Sequence, residues 1–230
     1  GQGQSVGAHD QCRARLAFVS KGRFIALEGG EGVGKSTQAR LLVDALKELG
    51  IPAVLTREPG GTPGAEAIRA LLLDPPGSGW NLRAEALLFA AARSDHVEKF
   101  IRPALQEDSW VICDRFIDST RAYQGGGGGL SEDDILALHR IGSEGLLPDL
   151  TLLVEVPPQL TEGRLAARDV DGADAIGGRD TAYHARVAAA FSRIAEAEPA
   201  RFAKIDGEGA PQEIHARIMA ALRPLLEPAT

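Results

Sequence analysis

Nine residues, Gly29-Gly-Glu-Gly-Val-Gly-Lys-Ser-Thr37, carry the most specific chemistry in the chain. Gly29 and Gly34, followed by Lys35 and Ser36, fit the spacing G-x-x-x-x-G-K-[ST]. Residues without a Cβ let successive backbone N–H groups turn inward, which makes a concave phosphate seat at a helix N-terminus. In such a seat Gly29, Gly30, Glu31, Gly32, Val33 and Gly34 wrap the phosphates. Lys35 reaches the outer phosphates, Ser36 ligates Mg²⁺ and Thr37 continues the first helical turn. The motif requires a strand before it and a helix after it. Phe24-Ile-Ala-Leu-Glu28 supplies the strand, and Ala39, Leu41, Leu42, Ala45, Leu46 and Leu49 recur at helical spacing.

Asp114 ends the apolar run Trp110-Val-Ile-Cys-Asp114. Such a run reads as a parallel strand buried on both faces, and ligands bind at the C-terminal ends of such strands. A carboxylate there can hold Mg²⁺ through water beside a nucleotide; taken alone, it could equally cap the next turn. Arg57 follows the second predicted strand, Arg93 lies in a long predicted helix, and Arg115 follows Asp114. Three guanidinium groups at one sheet edge of an acidic protein suit a fork for a second phosphate-bearing molecule. Phe89 lies four residues before Arg93, on the same helix face. Ring and guanidinium together suit a planar base, although Phe in a helix equally suits a core. Ser119, Thr120, Tyr123 and Gln124 could hydrogen-bond a base and sugar, or serve as caps and loop anchors.

The elements that must position these groups come from periodicity. Strands are expected at Phe24–Glu28, 51–56, Trp110–Asp114, 149–156 and 202–205. Helices are expected at 35–49, 65–73, 82–105 with a break near Pro103, from Ser131 onward, and at 157–167, 181–197 and 211–226. Strands alternating with helices imply an α/β fold, an open parallel five-stranded sheet with helices on both faces. Residues 1–22 read as a flexible extension, 23–230 as one P-loop domain, and the polar, glycine-bearing run at about 168–180 as a short lid.

A chain of 230 residues with 44% hydrophobic and 25% charged residues suits one ordinary globular core. The net charge of −7 speaks against a partner that is nucleic acid, since sequence-independent binding needs a basic surface. No apolar run approaches the roughly 20 residues of a membrane span, and the start lacks the apolar core of a secretory signal. Cys12 and Cys113, far apart in the chain, fit a reduced, cytoplasmic setting.

Several stretches together resemble the bacterial thymidylate kinases. They are the P-loop, Thr56-Arg-Glu-Pro-Gly-Gly61, Leu88-Phe-Ala-Ala-Ala-Arg93, Cys113-Asp-Arg115, Asp118-Ser-Thr-Arg-Ala-Tyr-Gln-Gly125 and Leu147-Pro-Asp-Leu-Thr151. The resemblance runs in register from Phe24 to about Leu226. It implies a nucleoside monophosphate kinase that moves the γ-phosphoryl group of ATP to dTMP with Mg²⁺, and a homodimer formed through helices beside the sheet. It makes Phe89 the stacking ring, with Arg93 and Gln124 at the base edge and Thr120 beside them. Arg57 and Arg115 would grip the acceptor phosphate and Glu31 would approach the sugar 3′-OH, with Ser119 and Tyr123 in the same site. Lys35, Asp114 and Arg115 then carry the catalytic charge.

Two departures from the family pattern stand out. The bacterial group commonly carries an arginine in the lid run where this chain has Asp174-Ala-Ile-Gly177, which leaves Arg168 or, preferably, Arg179 to approach the phosphates. Gly128 stands where many relatives carry another arginine. The nearest rival reading is a kinase for another monophosphate or a deoxynucleoside. A switch-type GTPase is remote, because no Asn-Lys-x-Asp stretch is present.

Overall fold

The apolar runs form five short strands, β1 (Phe24–Glu28), β2 (Ala53–Arg57), β3 (Trp110–Asp114), β4 (Leu150–Glu155) and β5 (Phe202–Asp206). All pairings are parallel, in the order β2-β3-β1-β4-β5. The computed structural model describes residues 21–157 and 178–227. Strand register sets where the functional groups emerge, because Asp114 lies opposite both Leu27 of β1 and Arg57 of β2. The P-loop entrance, Arg57 and the Asp114-Arg115 pair therefore leave the sheet along one C-terminal edge.

Eight α-helices stand among the described residues: α1 (Lys35–Glu48), α2 (Pro63–Leu73), α3 (Leu82–His96), α4 (Arg102–Gln106), α5 (Ile117–Thr120), α6 (Glu132–Ser143), α7 (Thr181–Ala197) and α8 (Pro211–Leu226). Strand side chains alternate between two faces. Ile25, Leu27, Ile112, Leu152 and Val154 meet Leu42 and Leu46 of α1 and Ile218 and Leu222 of α8. Phe24, Ala26, Val111 and Cys113 point the other way, into a core with Val97, Ile101, Ile117 and Ile135. Fully burying a leucine such as Leu42 contributes about 1.5–3 kcal/mol, so the helices are held chiefly by these faces. Side-chain caps set where several helices begin. Thr62 accepts from Ala65 N, Asn81 from Ala84 N, Ser131 from Asp134 N and Asp180 from Tyr183 N.

Two expectations need correction. The helix expected over 82–105 does not break at Pro103. It widens into a π-helical turn, Val97–Ile101, and Pro103 falls in the first turn of α4. The widened turn relieves the clash a proline ring makes with the carbonyl four residues earlier. Strand boundaries shift by a residue or two, β2 beginning at Ala53 rather than at 51. The five consecutive glycines Gly125–Gly129, to which periodicity assigns no element, begin within a helix: Arg121–Gly127 continues α5 as a π-helical segment. A Cβ at Gly126 would stand 2.2 Å from the Ala190 Cβ, and one at Gly127 2.6 Å from the Tyr183 ring, so the glycines let α7 approach.

The helix expected at 157–167, Arg168 and the run 174–177 fall almost wholly outside the described residues, as does most of 1–22. Gly22, which is described, packs against the backbone of Leu105 and Ser109. No helix among the described residues is long and apolar enough to cross a membrane.

Candidate active site

The P-loop takes its shape from glycines in left-handed backbone: Gly29 at φ 136°, Gly32 at 71° and Gly34 at 96°. At Gly29 there is no room for a side chain either, since a Cβ would lie 2.4 Å from the Val154 carbonyl oxygen. Gly34 precedes α1, which has no side-chain cap and no acidic residue in its first turn; Thr37 N turns back to the Gly34 carbonyl (3.1 Å), and the amides of Lys35 and Ser36 ahead of it are placed to meet an anion. Lys35 folds back over the loop and donates to the carbonyls of Gly29 (3.1 Å) and Gly30 (2.6 Å). Burial, with the nearby Arg115 charge, lowers its ammonium to about 8. The Val33 side chain is 3% exposed and packs in the core, so this position can offer a ligand only its backbone.

Ser36 Oγ lies 2.5 Å from Asp114 Oδ2 at the cleft floor. A hydroxyl and a carboxylate converging there are hard oxygen donors of the kind Mg²⁺ takes, alongside substrate phosphates. Arg115 occupies left-handed backbone at φ 72°, costly for a residue with a Cβ. Its guanidinium donates to Gly29 O (3.1 Å), Ser119 Oγ (3.0 Å), Tyr123 Oη (3.2 Å) and Glu31 (2.6 Å). The Arg115 charge holds the Glu31 carboxyl down at about 2.

Glu28 secures that backbone from beneath. Its carboxylate accepts from Phe116 N (2.8 Å), Ser119 N (3.0 Å) and Ser119 Oγ (2.6 Å). Burial, and next the charge of Asp118, push it up to about 7. Sequence reasoning missed Glu28, yet the signal used for Asp114, a carboxylate ending an apolar strand, applies to it equally.

Across the cleft Arg93 is 2% exposed and fixed by Glu58 Oε2 (2.7 Å), Thr120 Oγ1 (2.9 Å) and the Phe116 carbonyl (3.3 Å). Glu58 in turn meets His96 Nδ1 (3.2 Å), and His96 Nε2 meets Thr56 Oγ1 (2.6 Å). Phe89, half-buried, lines the same cleft. Gln124 donates to the buried Glu85 at 2.7 Å. Arg57 is more exposed and pairs with both oxygens of Glu66, at 3.1 and 3.2 Å. Arg179 is held by Glu85 and the Tyr183 hydroxyl and is not among the cleft's lining residues. Arg168 lies outside the described residues.

Fourteen of the residues singled out in the sequence thus line one cleft of about 500 Å³: Glu31, Gly32, Gly34, Lys35, Ser36, Thr37, Arg57, Phe89, Arg93, Asp114, Arg115, Ser119, Thr120 and Tyr123, with Gln124 as a fifteenth. Sequence reasoning overlooked Glu58, Arg40 and Arg69, which also line it. Lys35, Arg40, Arg57, Arg69, Arg93 and Arg115 face only Glu31, Glu58 and Asp114 there, so the cleft concentrates positive charge in a chain of net charge −7. Such a cleft can neutralise two anionic groups and hold a flat ring between them.

The family model for thymidylate kinase matches residues 27–218. A thymidylate kinase of Rhizorhabdus wittichii is 56% identical over 205 residues, covering 89% of this chain and 99% of the relative. One from a Bradyrhizobium species is 47% identical over 204 residues, covering 88% and 90%. Among solved structures, the crystal structure of thymidylate kinase from Ehrlichia chaffeensis superposes with a TM-score of 0.72 at 34% identity, covering 87% of this chain and 98% of that one. With a matching family model over most of its length, relatives identical at about half of their positions, and the phosphate loop and ring-lined cleft on one sheet edge, this chain belongs to the thymidylate kinase family.

Proposed function

We propose that this cleft transfers the γ-phosphoryl group of ATP to dTMP, giving ADP and dTDP. The observation that carries the reading is the meeting of Lys35 with Phe89 and Arg93 in a single cleft. An oxygen of the acceptor 5′-phosphate attacks the γ-phosphorus as the bond to the β,γ-bridging oxygen breaks, and ADP leaves with that electron pair. Little covalent help is needed, so the task of the protein is to align two anions and neutralise charge.

The loop amides and Lys35 would hold the ATP phosphates, while Arg57 and Arg115 would hold the acceptor phosphate. Phe89 would stack on the thymine, Arg93 and Gln124 would meet its edge, and Glu31 would accept from the sugar 3′-OH. Ser36 and Asp114 would hold Mg²⁺, which when bound neutralises phosphate charge. Lid closure over 168–180 would bring Arg168 or Arg179 toward the phosphates, within one working domain at 23–230. For Arg179 this means leaving its contact with Glu85.

We also infer a homodimer, built on the outer faces of α3 and α6, where Leu87 is 55% and Ile141 80% exposed. A cytoplasmic setting is supported by the free thiol of Cys113. A coupled assay of ADP release over dTMP, dUMP, CMP, AMP and GMP tests the activity. dTMP is expected to give the highest kcat/KM; a preference for any other acceptor overturns the assignment.

A further inference from the structure

Glu85 in α3 is 6% exposed and its two oxygens have different partners. Gln124 Nε2 donates to Oε1 at 2.7 Å, and Arg179 Nη2 donates to Oε2 at 2.5 Å. Arg179 also donates to the Tyr183 hydroxyl (2.6 Å), whose proton goes to the carbonyl of Tyr123 (2.9 Å), the residue before Gln124. The Gln124 side chain is thus tied to α3, and the carbonyl of the residue before it to α7.

A carboxylate paired with an arginine offers only acceptors, whereas a glutamine amide has one donor end and one acceptor end. The bond to Glu85 takes one of the two NH₂ hydrogens and turns the NH₂ end toward α3, which sets the carbonyl Oε1 as the acceptor at the other end of the amide, in the cleft that Gln124 lines. Arg93 has Nε on Glu58 and Nη2 on Thr120 and Phe116, which leaves Nη1, a donor. The cleft wall thus presents one donor and one acceptor. A 4-oxo pyrimidine offers the complement, an acceptor at O4 and a donor at N3–H. A 4-amino pyrimidine offers the reverse, a donor at N4 and an acceptor at N3.

We propose that Glu85 is the positioning residue that sets this choice: it pins the Gln124 amide in one of its two orientations, so that the site reads thymine and rejects cytosine. A free amide could turn over and donate to cytosine N3, leaving the fixed donor of Arg93 alone to oppose the 4-amino group. The inference rests on the reading of Gln124 as a base-facing residue in a dTMP site.

The test compares kcat/KM for dTMP and dCMP in the parent, in Glu85→Gln and in Glu85→Met, with a thermal melt to establish folding. Glutamine at 85 keeps the shape but can donate as well as accept. Methionine removes the acceptor at similar length and serves if the first variant does not fold. In either variant the dTMP-to-dCMP ratio is expected to fall about 10- to 100-fold. A ratio within about threefold of the parent's overturns the proposal, and so does an equal loss on both substrates, which marks a merely structural role. A parent that itself fails to prefer dTMP is a different result: it removes the acceptor reading before any variant is compared.

Discussion

Glu28 makes the stability of this protein depend on pH in a direction opposite to that of most carboxylates. Its carboxyl is fully buried, and burial together with Asp118 lifts it from an ordinary 4.5 to about 7. The folded state therefore holds a proton that the unfolded chain releases, and stability falls as pH rises through that window. At about 1.36 kcal/mol per pH unit, the span amounts to roughly 3 kcal/mol, present in full below pH ~4.5 and lost above pH ~7. Glu28→Gln removes the titration while keeping the shape. Its carbonyl oxygen can still accept from the amides of Phe116 and Ser119, and its NH₂ can face the Ser119 hydroxyl. Urea unfolding of both proteins at constant ionic strength, from pH 5 to pH 8.5, reads the difference. Asp118 and Arg115, whose charges face Glu28, are present in both, so the comparison isolates one carboxyl. The parent should lose ground to the variant steadily between pH 5 and 7 and run level with it beyond about pH 8. A stability difference constant to within about 0.5 kcal/mol over that range refutes the reasoning.

Two further outcomes rest on the buried contacts. Glu58→Ala strands the Arg93 charge, since both side chains are 3% exposed, and should lower stability by about 3–5 kcal/mol in denaturant unfolding; a loss under 1 kcal/mol would mean the pair is not closed to water. Gly126→Ala places a methyl 2.2 Å from the Ala190 Cβ and should cost about 1–3 kcal/mol, seen as a lowered Tm. Adding Ala190→Gly should recover most of that loss, and no recovery would show that α7 is not the neighbour at fault.

The parts of the site visible in the sequence are those whose signal is local. The spacing of Gly29, Gly34, Lys35 and Ser36, with apolar runs on both sides, specified a phosphate loop between a strand and a helix, and the structure has β1 and α1 there. Asp114 was visible because a carboxylate ends a continuous apolar run. The glycine run was legible only as missing side chains. Its use, the close approach of α7, depends on residues about 60 positions later.

Sequence by itself determined the five strands, the helices at 35–49, 65–73, 181–197 and 211–226 to within a residue or two, the parallel α/β class and the phosphate loop, because periodicity and glycine spacing act over a few residues at a time. Only the tertiary structure decided which carboxylates orient the arginines and the glutamine: Glu58 on Arg93, Glu85 on Gln124, and Glu28 beneath Arg115. Those partners stand 35, 39 and about 90 positions apart, and no local pattern encodes them. The sheet register and helix packing bring them together, and burial then makes each pairing obligatory, because an unpaired charge inside the fold costs several kcal/mol.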